Sequence, residues 1–208
     1  NIRSRDVKCN PVATAFLYLS SEGSTLFIKE GKLDEATAAY LSQSNVGTAP
    51  YEEALAFLRA LPDNARVLIE ASRTSGRVLD TLGSRAVVGA SPVPMLKAVK
   101  NDTQIAGIRR SMEIDGAALV GAFMEIEKMM RQGEPLTELA VSGILTHFRS
   151  QQPNYFDESF DTIAGYGPHG AIVHYSASPA SSSTVEPHGL LLIDSGAQSL
   201  TGTTDITR

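Results

Sequence analysis

The first ninety or so residues alternate between short runs of β-forming residues and windows in which apolar residues recur at helical spacing. This alternation is typical of a layered α/β domain. A polar Ser-Ser-Glu-Gly-Ser segment separates the first two apolar runs, which predicts a β-hairpin. The predicted strands are 15–19, 25–28, 66–69 and 86–88, and the predicted helices are 33–41 and 51–61.

A proline-containing segment, Ser91–Leu96, separates this region from a long amphipathic stretch. Two prolines one residue apart favour extended backbone and predict a boundary between domains at residues 95 and 96. Asn101 or Asp102 can cap the helix that follows, whose apolar positions stay on one face until Gly133. These apolar positions are Ile105, Ile108, Met112, Leu119, Phe123, Ile126 and Met130.

The rest of the chain begins with a second predicted helix, which opens at Pro135 or Thr137 and runs to about Phe148. After Pro153 the pattern changes to short apolar runs separated by turns rich in glycine, proline and serine. The predicted strands here are 159–163, 171–175, 190–194 and 203–207. The sequence therefore predicts an α/β protein with two domains, residues 1–95 and 96–208.

Composition narrows the classes of partner. The 208 residues carry 18 basic and 23 acidic side chains, a net charge of -5, with no segment in which basic residues concentrate. We therefore expect no nucleic-acid partner, and no membrane partner, because no apolar run approaches the roughly 20 residues that span a bilayer. Cys9 is the only cysteine, which excludes an internal disulfide and favours a cytoplasmic protein. The abrupt ends, Asn1 and Arg208, are typical of a fragment.

Asp194 and Asp205 are the candidate metal ligands. Asp194 ends a four-residue apolar run that predicts a strand buried on both faces, where an ionised carboxylate needs a cation or several donors. Residues 196–202 can turn the chain back, and alternation then puts Asp205 on one face with two threonine hydroxyls. Two close carboxylates favour a site for two hard divalent ions. An equally open interpretation is that Asp194 caps a turn, through Asp-Ser-Gly, and that Asp205 pairs with Arg208 or another basic residue at the surface.

Four histidines are the other candidates for chemistry. His174 lies in a run predicted to be a strand, where it could carry a proton, anchor substrate or be a core imidazole bonded to a carbonyl. His169 and His188 lie in turns and are expected to be exposed, as is His147 on the second helix. The chain has no G-x-S-x-G elbow, P-loop or H-E-x-x-H motif, which removes the usual serine hydrolase, P-loop and zincin alternatives.

A resemblance to a known family rests mainly on four strings in the last quarter of the chain. They are Ser-Phe-Asp-Thr-Ile at 159–163, Gly-Pro-His-Gly-Ala-Ile-Val-His-Tyr at 167–175, Leu-Ile-Asp-Ser-Gly-Ala-Gln at 192–198 and Gly-Thr-Thr-Asp-Ile-Thr-Arg at 202–208. With Asn-Pro-Val at 10–12 and Lys-Ala-Val-Lys-Asn at 97–101, they resemble the large aminopeptidase P branch of the creatinase/prolidase metallopeptidases. The resemblance implies a truncated creatinase N-terminal-like α/β domain followed by the first half of a pita-bread catalytic domain.

The same resemblance implies a Xaa-Pro aminopeptidase that uses two divalent metal ions, usually Mn2+, and Xaa-Pro peptides as substrates. It implies that Asp194 chelates one ion, that Asp205 bridges both, and that His174 contacts substrate and stabilises the tetrahedral intermediate. The family's other ligands, one His and two Glu, match no segment here, and His169 stands where the family more often has Asn. A non-catalytic pseudo-peptidase and a prolidase are the alternatives, and a homodimer is a further expectation.

Overall fold

The computed structural model describes residues 3–208. By contacts the chain divides into two units: the first runs to Val99 and omits Lys8–Asn10, and the second comprises Lys8–Asn10 and Lys100–Arg208. The domain boundary at residues 95 and 96 stays a prediction. No helix among the described residues is both long enough and apolar enough to cross a membrane.

The first unit contains two small sheets with helices between the strands. The predicted hairpin is confirmed, because β1 and β2 pair antiparallel with Ser20 opposite Gly23, while β2 and β3 pair in parallel, as do β4 and β5. The strands are β1 Ala15–Ser20, β2 Gly23–Ile28, β3 Val46–Pro50, β4 Val67–Ile69 and β5 Ala86–Val88, and the helices are α1 Glu35–Gln43, α2 Ala54–Ala60, α3 Gly76–Leu82 and α4 Val93–Ala98.

The extended backbone predicted for the two-proline segment is wrong. Pro92 lies at the residue before α4, and Pro94 lies in the first turn of that helix. Proline is tolerated there because the first backbone N–H groups of a helix have no partner within it. Strand β3 and helix α3 were not predicted.

The second unit consists of two long helices packed on short antiparallel strands. A three-stranded sheet has the order β10-β8-β7, β6 pairs with β9, and a short 3-10 helix spans Gly167–Ala171. The helices are α5 Asp102–Gln132 and α6 Glu138–Ser150, and the strands are β6 Tyr155–Glu158, β7 Ile163–Tyr166, β8 Leu191–Ser195, β9 Ala197–Ser199 and β10 Ile206–Thr207.

Local capping explains where the two helices begin and end. The Asn101 side chain accepts from the Gln104 backbone N–H at 2.9 Å, and the Gln104 side chain accepts from the Asn101 N–H at 3.0 Å. Gly133, with φ +70°, ends α5 in the left-handed conformation, and Thr137 caps α6. Both predicted helices are therefore confirmed.

The buried stripe of α5 differs from the predicted one. Ile105 and Met112 are exposed, whereas the polar residues Ser111 and Asp115 are buried. The buried face of α5 is therefore shifted by one residue from the predicted face, and Asp115 on it contacts the buried Arg149 of α6. The apolar core of this unit is Leu119, Ala122, Ile126, Leu136, Val141, Leu145, Ala164, Val185, Ile193 and Ile206.

Arg149 is this buried cation, with 1% of its side chain exposed. Its Nε and Nη2 donate to the two carboxylate oxygens of Asp115 at 2.7 and 3.2 Å, and its Nη1 lies 3.5 Å from Glu158 Oε2. Tyr155 donates to the other oxygen of Glu158 at 2.9 Å. Burial raises the pKa of Glu158, and burial together with this hydrogen bond raises the pKa of Tyr155. The group connects α5, α6 and β6.

The strand predicted at 159–163 is wrong. Strand β6 ends at Glu158 and β7 begins only at Ile163. Between them Ser159 is held by two bonds: its N–H donates to Gly196 O at 3.0 Å and its Oγ donates to Thr204 O at 2.8 Å. The strand predicted at 190–194 is confirmed with a shift of one residue. Of the strand predicted at 203–207, only Ile206–Thr207 forms, preceded by an isolated bridge between Thr203 and Gln198.

Replacing Arg149 with Met should lower the free energy of unfolding by about 3–5 kcal/mol, because Asp115 is then buried without its cation. Urea titration followed by circular dichroism measures this. The double variant Arg149→Met with Asp115→Leu should recover most of the loss. Arg110→Met is the control, since the Arg110–Glu113 pair is solvent-exposed, and should change stability by about 0.5 kcal/mol or less. If Arg149→Met lowered the free energy of unfolding by no more than that, Arg149 would not be the cation that compensates the buried charge of Asp115.

Candidate functional site

The pairing of β8 with β10 decides where the two candidate carboxylates lie. The predicted antiparallel return is confirmed, but the register puts Asp194 opposite Thr207 and Ser195 opposite Ile206. Asp205 precedes β10, but burial alternates through it, with Thr204 and Ile206 buried and Asp205 and Thr207 exposed, so Asp205 is on the same side of the chain as Thr207, the partner of Asp194. Both carboxylates therefore lie on one face.

The opposite face of the same pair is the buried one. Ile193, Ser195 and Ile206 are all buried, whereas Asp194 is partly buried and Asp205 is exposed. The prediction that the Asp194 strand is buried on both faces is wrong, since Leu190 lies outside β8 and is 83% exposed. The carboxylates lie on the side away from the core.

Glycine is required where the chain turns between β8 and β9. A Cβ at Gly196 would lie 2.0 Å from Thr204 O and 2.4 Å from Ser159 Oγ. The close approach allows Ala197 N–H to donate to Thr204 Oγ1 at 2.8 Å and Thr204 N–H to donate to Ala197 O at 2.9 Å. These bonds hold the residue immediately before Asp205.

The following turn is attached to helix α5. Ser111 Oγ lies 2.9 Å from Ser199 Oγ and 2.8 Å from Thr201 Oγ1. A Cβ at Gly107, one helical turn earlier, would lie 2.7 Å from Thr201 O. The glycine therefore lets the turn reach the helix backbone, and the hydroxyl groups fix its position.

Asp194 has the environment of a cation ligand. Its Oδ1 is buried and has no hydrogen-bond partner, which is costly for a carboxylate oxygen unless a cation completes its environment. Carboxylates suit hard divalent ions. Within residues 3–208, however, no group of three or more His, Cys, Asp and Glu residues is arranged to hold a metal ion. The two residues fit part of a metal site.

The alternative interpretation of the two aspartates has little structural support. Asp194 lies inside strand β8, where it pairs with Ile163 on one side and Thr207 on the other, and it does not begin a turn. Arg208 donates through Nη1 to Thr207 O at 2.7 Å. The geometry therefore favours the metal-ligand interpretation of the pair.

His174 lies in a turn, so the strand predicted at 171–175 is wrong. The 3-10 helix Gly167–Ala171 is followed by a turn in which Tyr175 N–H donates to Ile172 O at 3.2 Å. His174 is exposed and has φ +54°, a left-handed conformation that is uncommon for residues other than glycine. A proline and two glycines within 167–170 favour this tight path over an extended one.

Sequence reasoning missed Glu138, a fully buried carboxylate at the first residue of α6. Its Oε1 accepts from Tyr166 N–H at 2.7 Å, and its Oε2 accepts from Ser183 N–H and Tyr175 O–H, both at 2.9 Å. His169 Nδ1 lies 2.8 Å from Oε1. Burial disfavours the charged form, but these donors together lower the pKa of Glu138 below its usual value.

The prediction that His169 is an exposed turn residue is wrong. Its side chain is only 25% exposed, bonds to Glu138, and stacks on the Tyr175 ring with 4.4 Å between ring centroids. The predicted exposure of His147 and His188 is confirmed. The one sequence signal for Glu138 was an acidic residue in the first turn of a helix, which is ordinarily a surface feature.

Comparison with known proteins identifies the class. A family model described as Creatinase/Prolidase N-terminal domain matches residues 1–104, and one described as Metallopeptidase family M24 matches residues 106–208. The chain therefore belongs to the creatinase/prolidase metallopeptidases, and its α/β fold is a creatinase N-terminal domain followed by part of an M24 domain.

Particular relatives are aminopeptidases P. The chain is 33% identical to the probable Xaa-Pro aminopeptidase P of Neurospora crassa, with all of this chain and 32% of that protein covered. It is 32% identical to aminopeptidase P2 of Arabidopsis thaliana, with all of this chain and 34% of that protein covered. The chain thus spans about a third of the length of the curated relatives it matches.

Solved structures of two peptidases are similar to this chain in fold. The X-prolyl aminopeptidase of Caenorhabditis elegans, described as a cytosolic enzyme with a di-nuclear active site, superposes with a TM-score of 0.91 at 32% identity, covering 99% of this chain and 35% of that one. The prolidase of Pyrococcus furiosus shares the fold with a TM-score of 0.71 at 20% identity, covering 96% of this chain and 56% of that one.

Replacing Gly196 with Ala should destabilise the second unit by about 1–3 kcal/mol, because the new methyl group overlaps Thr204 O and Ser159 Oγ. Thermal unfolding measures the change. Gly143→Ala is the matched control: Gly143 lies within α6 with no atom within 4 Å of a built Cβ, so the substitution should stabilise by about 0.5–1 kcal/mol. Equal behaviour of the two variants would rule out the close approach at Gly196.

Acid should weaken the fold through Glu138. Because its folded pKa is below the ordinary 4.5, its stabilisation is complete above that pH and is lost as the pH falls through the depressed value. Glu138→Gln should therefore flatten the decline in unfolding free energy below pH 4.5, measured by urea titration at several pH values. Glu113→Gln, on the exposed face of α5, should keep the original slope. An unchanged slope in Glu138→Gln would refute the depressed pKa.

Proposed function

We propose that the chain is part of a dinuclear, metal-dependent Xaa-Pro aminopeptidase, which removes the first residue from peptides with proline in second place. The observation that carries the proposal is the placement of Asp194 and Asp205 on one face of the β8–β10 pair, with Asp194 Oδ1 buried and unpartnered. Family membership and the aminopeptidases P among the relatives support it.

Asp194 and Asp205 are the proposed metal ligands of this chain, and Mn2+ is the proposed metal. Divalent ions bound there would lower the pKa of a bound water and polarise the scissile carbonyl. The chain's own contribution is positional. The ladder between β8 and β10 fixes the direction of the Asp194 side chain, and the Thr204 bonds fix the backbone next to Asp205.

His174 is the proposed catalytic and substrate-binding residue. Its exposed ring can reach a bound peptide without displacing core residues, and a histidine can donate a hydrogen bond to the oxygen that becomes negative in the tetrahedral intermediate. Xaa-Pro peptides are the proposed substrates, a homodimer the proposed assembly and the cytoplasm the proposed location. The presence of both aspartates and His174 argues against a pseudo-peptidase.

The 208-residue chain should bind Mn2+ weakly and cleave no Xaa-Pro peptide, because it supplies only two carboxylates of the site. Asp194→Asn should weaken Mn2+ binding at least about tenfold, or 1.4 kcal/mol, in isothermal titration, since it removes one charged ligand. Peptide hydrolysis is followed by release of the first residue.

The matched control is Asp161→Asn, which neutralises a carboxylate of the same unit that is paired with Lys8 and 74% exposed. It should leave Mn2+ binding unchanged. Xaa-Pro cleavage by this chain alone that survives Asp194→Asn, or equal Mn2+ binding by the two variants, would sink the assignment of the site.

A further inference from the structure

Glu138 gathers four donors that are far apart in sequence onto one buried carboxylate. Tyr166, His169, Tyr175 and Ser183 lie 28 to 45 residues after it in the chain. Ser183 also accepts from Glu138 N–H through its carbonyl at 3.1 Å. Burying a carboxylate with no exposed surface costs the free energy of its hydration. This cost is compensated only when all the donors are in place.

Tyr175 is the member of this cluster that lies next to His174 in the chain. Tyr175 is buried, its hydroxyl lies 2.9 Å from Glu138 Oε2 and 3.2 Å from Ser181 O, and its ring stacks on His169. It directly follows His174, and its N–H closes the turn that contains His174. Fixing Tyr175 therefore fixes one end of the His174 backbone.

The other observation concerns the His174 backbone itself. A left-handed backbone is strained for a residue other than glycine and persists only where the surrounding structure imposes it. His174 is exposed, so its own side-chain packing does not impose that conformation. The restraint must come from its neighbours in the chain, and Tyr175 is the neighbour that is buried and bonded.

We propose that Glu138 is a positioning residue that acts through the Tyr175 hydroxyl to hold His174 in its left-handed conformation, facing substrate. His169 assists by bonding to the same carboxylate and stacking on the same ring. The proposal rests on the proposed function for the role of His174, but the anchoring itself does not depend on catalysis.

The test compares two tyrosine variants in the complete aminopeptidase that contains this chain. Tyr175→Phe removes the hydroxyl that bonds to Glu138. It should lower kcat about fivefold to tenfold and change KM less than about twofold, because a lost hydrogen bond of about 1 kcal/mol loosens a group used in the transition state. Tyr166→Phe is the control, since the Tyr166 hydroxyl donates to His188 O at 2.6 Å and not to Glu138, and it should leave kcat unchanged. Glu138→Gln should lower kcat at least as much as Tyr175→Phe, with unchanged metal content.

A second readout separates this proposal from the proposed function. In NMR spectra of labelled protein, the imidazole signal of His174 should shift and broaden in Tyr175→Phe and stay in place in Tyr166→Phe. If the wild-type protein cleaves no Xaa-Pro peptide, the proposed function fails. The imidazole signal of His174 then remains as the test of whether Glu138 and Tyr175 hold His174 in place. An unchanged His174 signal in both Tyr175→Phe and Glu138→Gln, or equal kcat in the two tyrosine variants, would overturn the proposal.

Discussion

The antiparallel ladder between β8 and β10 is the constraint on which the site depends. Ile193 N–H donates to Arg208 O and Arg208 N–H to Ile193 O, both at 2.8 Å, so the two strands cannot slide by one residue without breaking this exchange. Alternation then assigns Ile193 and Ile206 to the core and Asp194 and Asp205 to the opposite face. Burial of apolar side chains thus positions the two carboxylates.

Two buried ionic groups hold other parts of the second unit together, and they join different kinds of segment. Arg149 and Asp115 neutralise each other between the long helices, with Glu158 and Tyr155 extending the group to β6. Glu138 instead is satisfied by the Tyr166 N–H at the end of β7, by the Ser183 N–H and the Tyr175 hydroxyl from irregular chain, and by His169. The first group connects regular elements, whereas the second also holds the irregular chain around Tyr175 and Ser183, which has no ladder of its own.

Prediction from the sequence succeeded where the determining interactions are local. The cap at Asn101 or Asp102, the end of the long helix at Gly133 and the start of the next helix at Pro135 or Thr137 depend on residues at most a few positions apart, and the structure has Asn101, Gly133 and Thr137 in these places. It failed where burial depends on distant partners: Ile105 and Met112, which were assigned to the apolar face, are exposed, whereas the polar residues Ser111 and Asp115, which were not, are buried. The strand predicted around His174 failed because its apolar residues, Ile172 and Val173, are exposed in a turn.

The sequence by itself was enough to predict the family, the two aspartates as a pair, the antiparallel return between them and the helices before them. These features depend on residue type, period and capping, which are properties of neighbouring positions. Only the tertiary structure decided the register that sets Asp194 opposite Thr207, the unpartnered Oδ1 of Asp194 and the burial of Glu138. The reason is physical: hydrogen bonds that join Glu138 to Tyr175 and Ser183, 37 and 45 residues away, leave no periodic trace in the chain and form only when the helices and loops have packed.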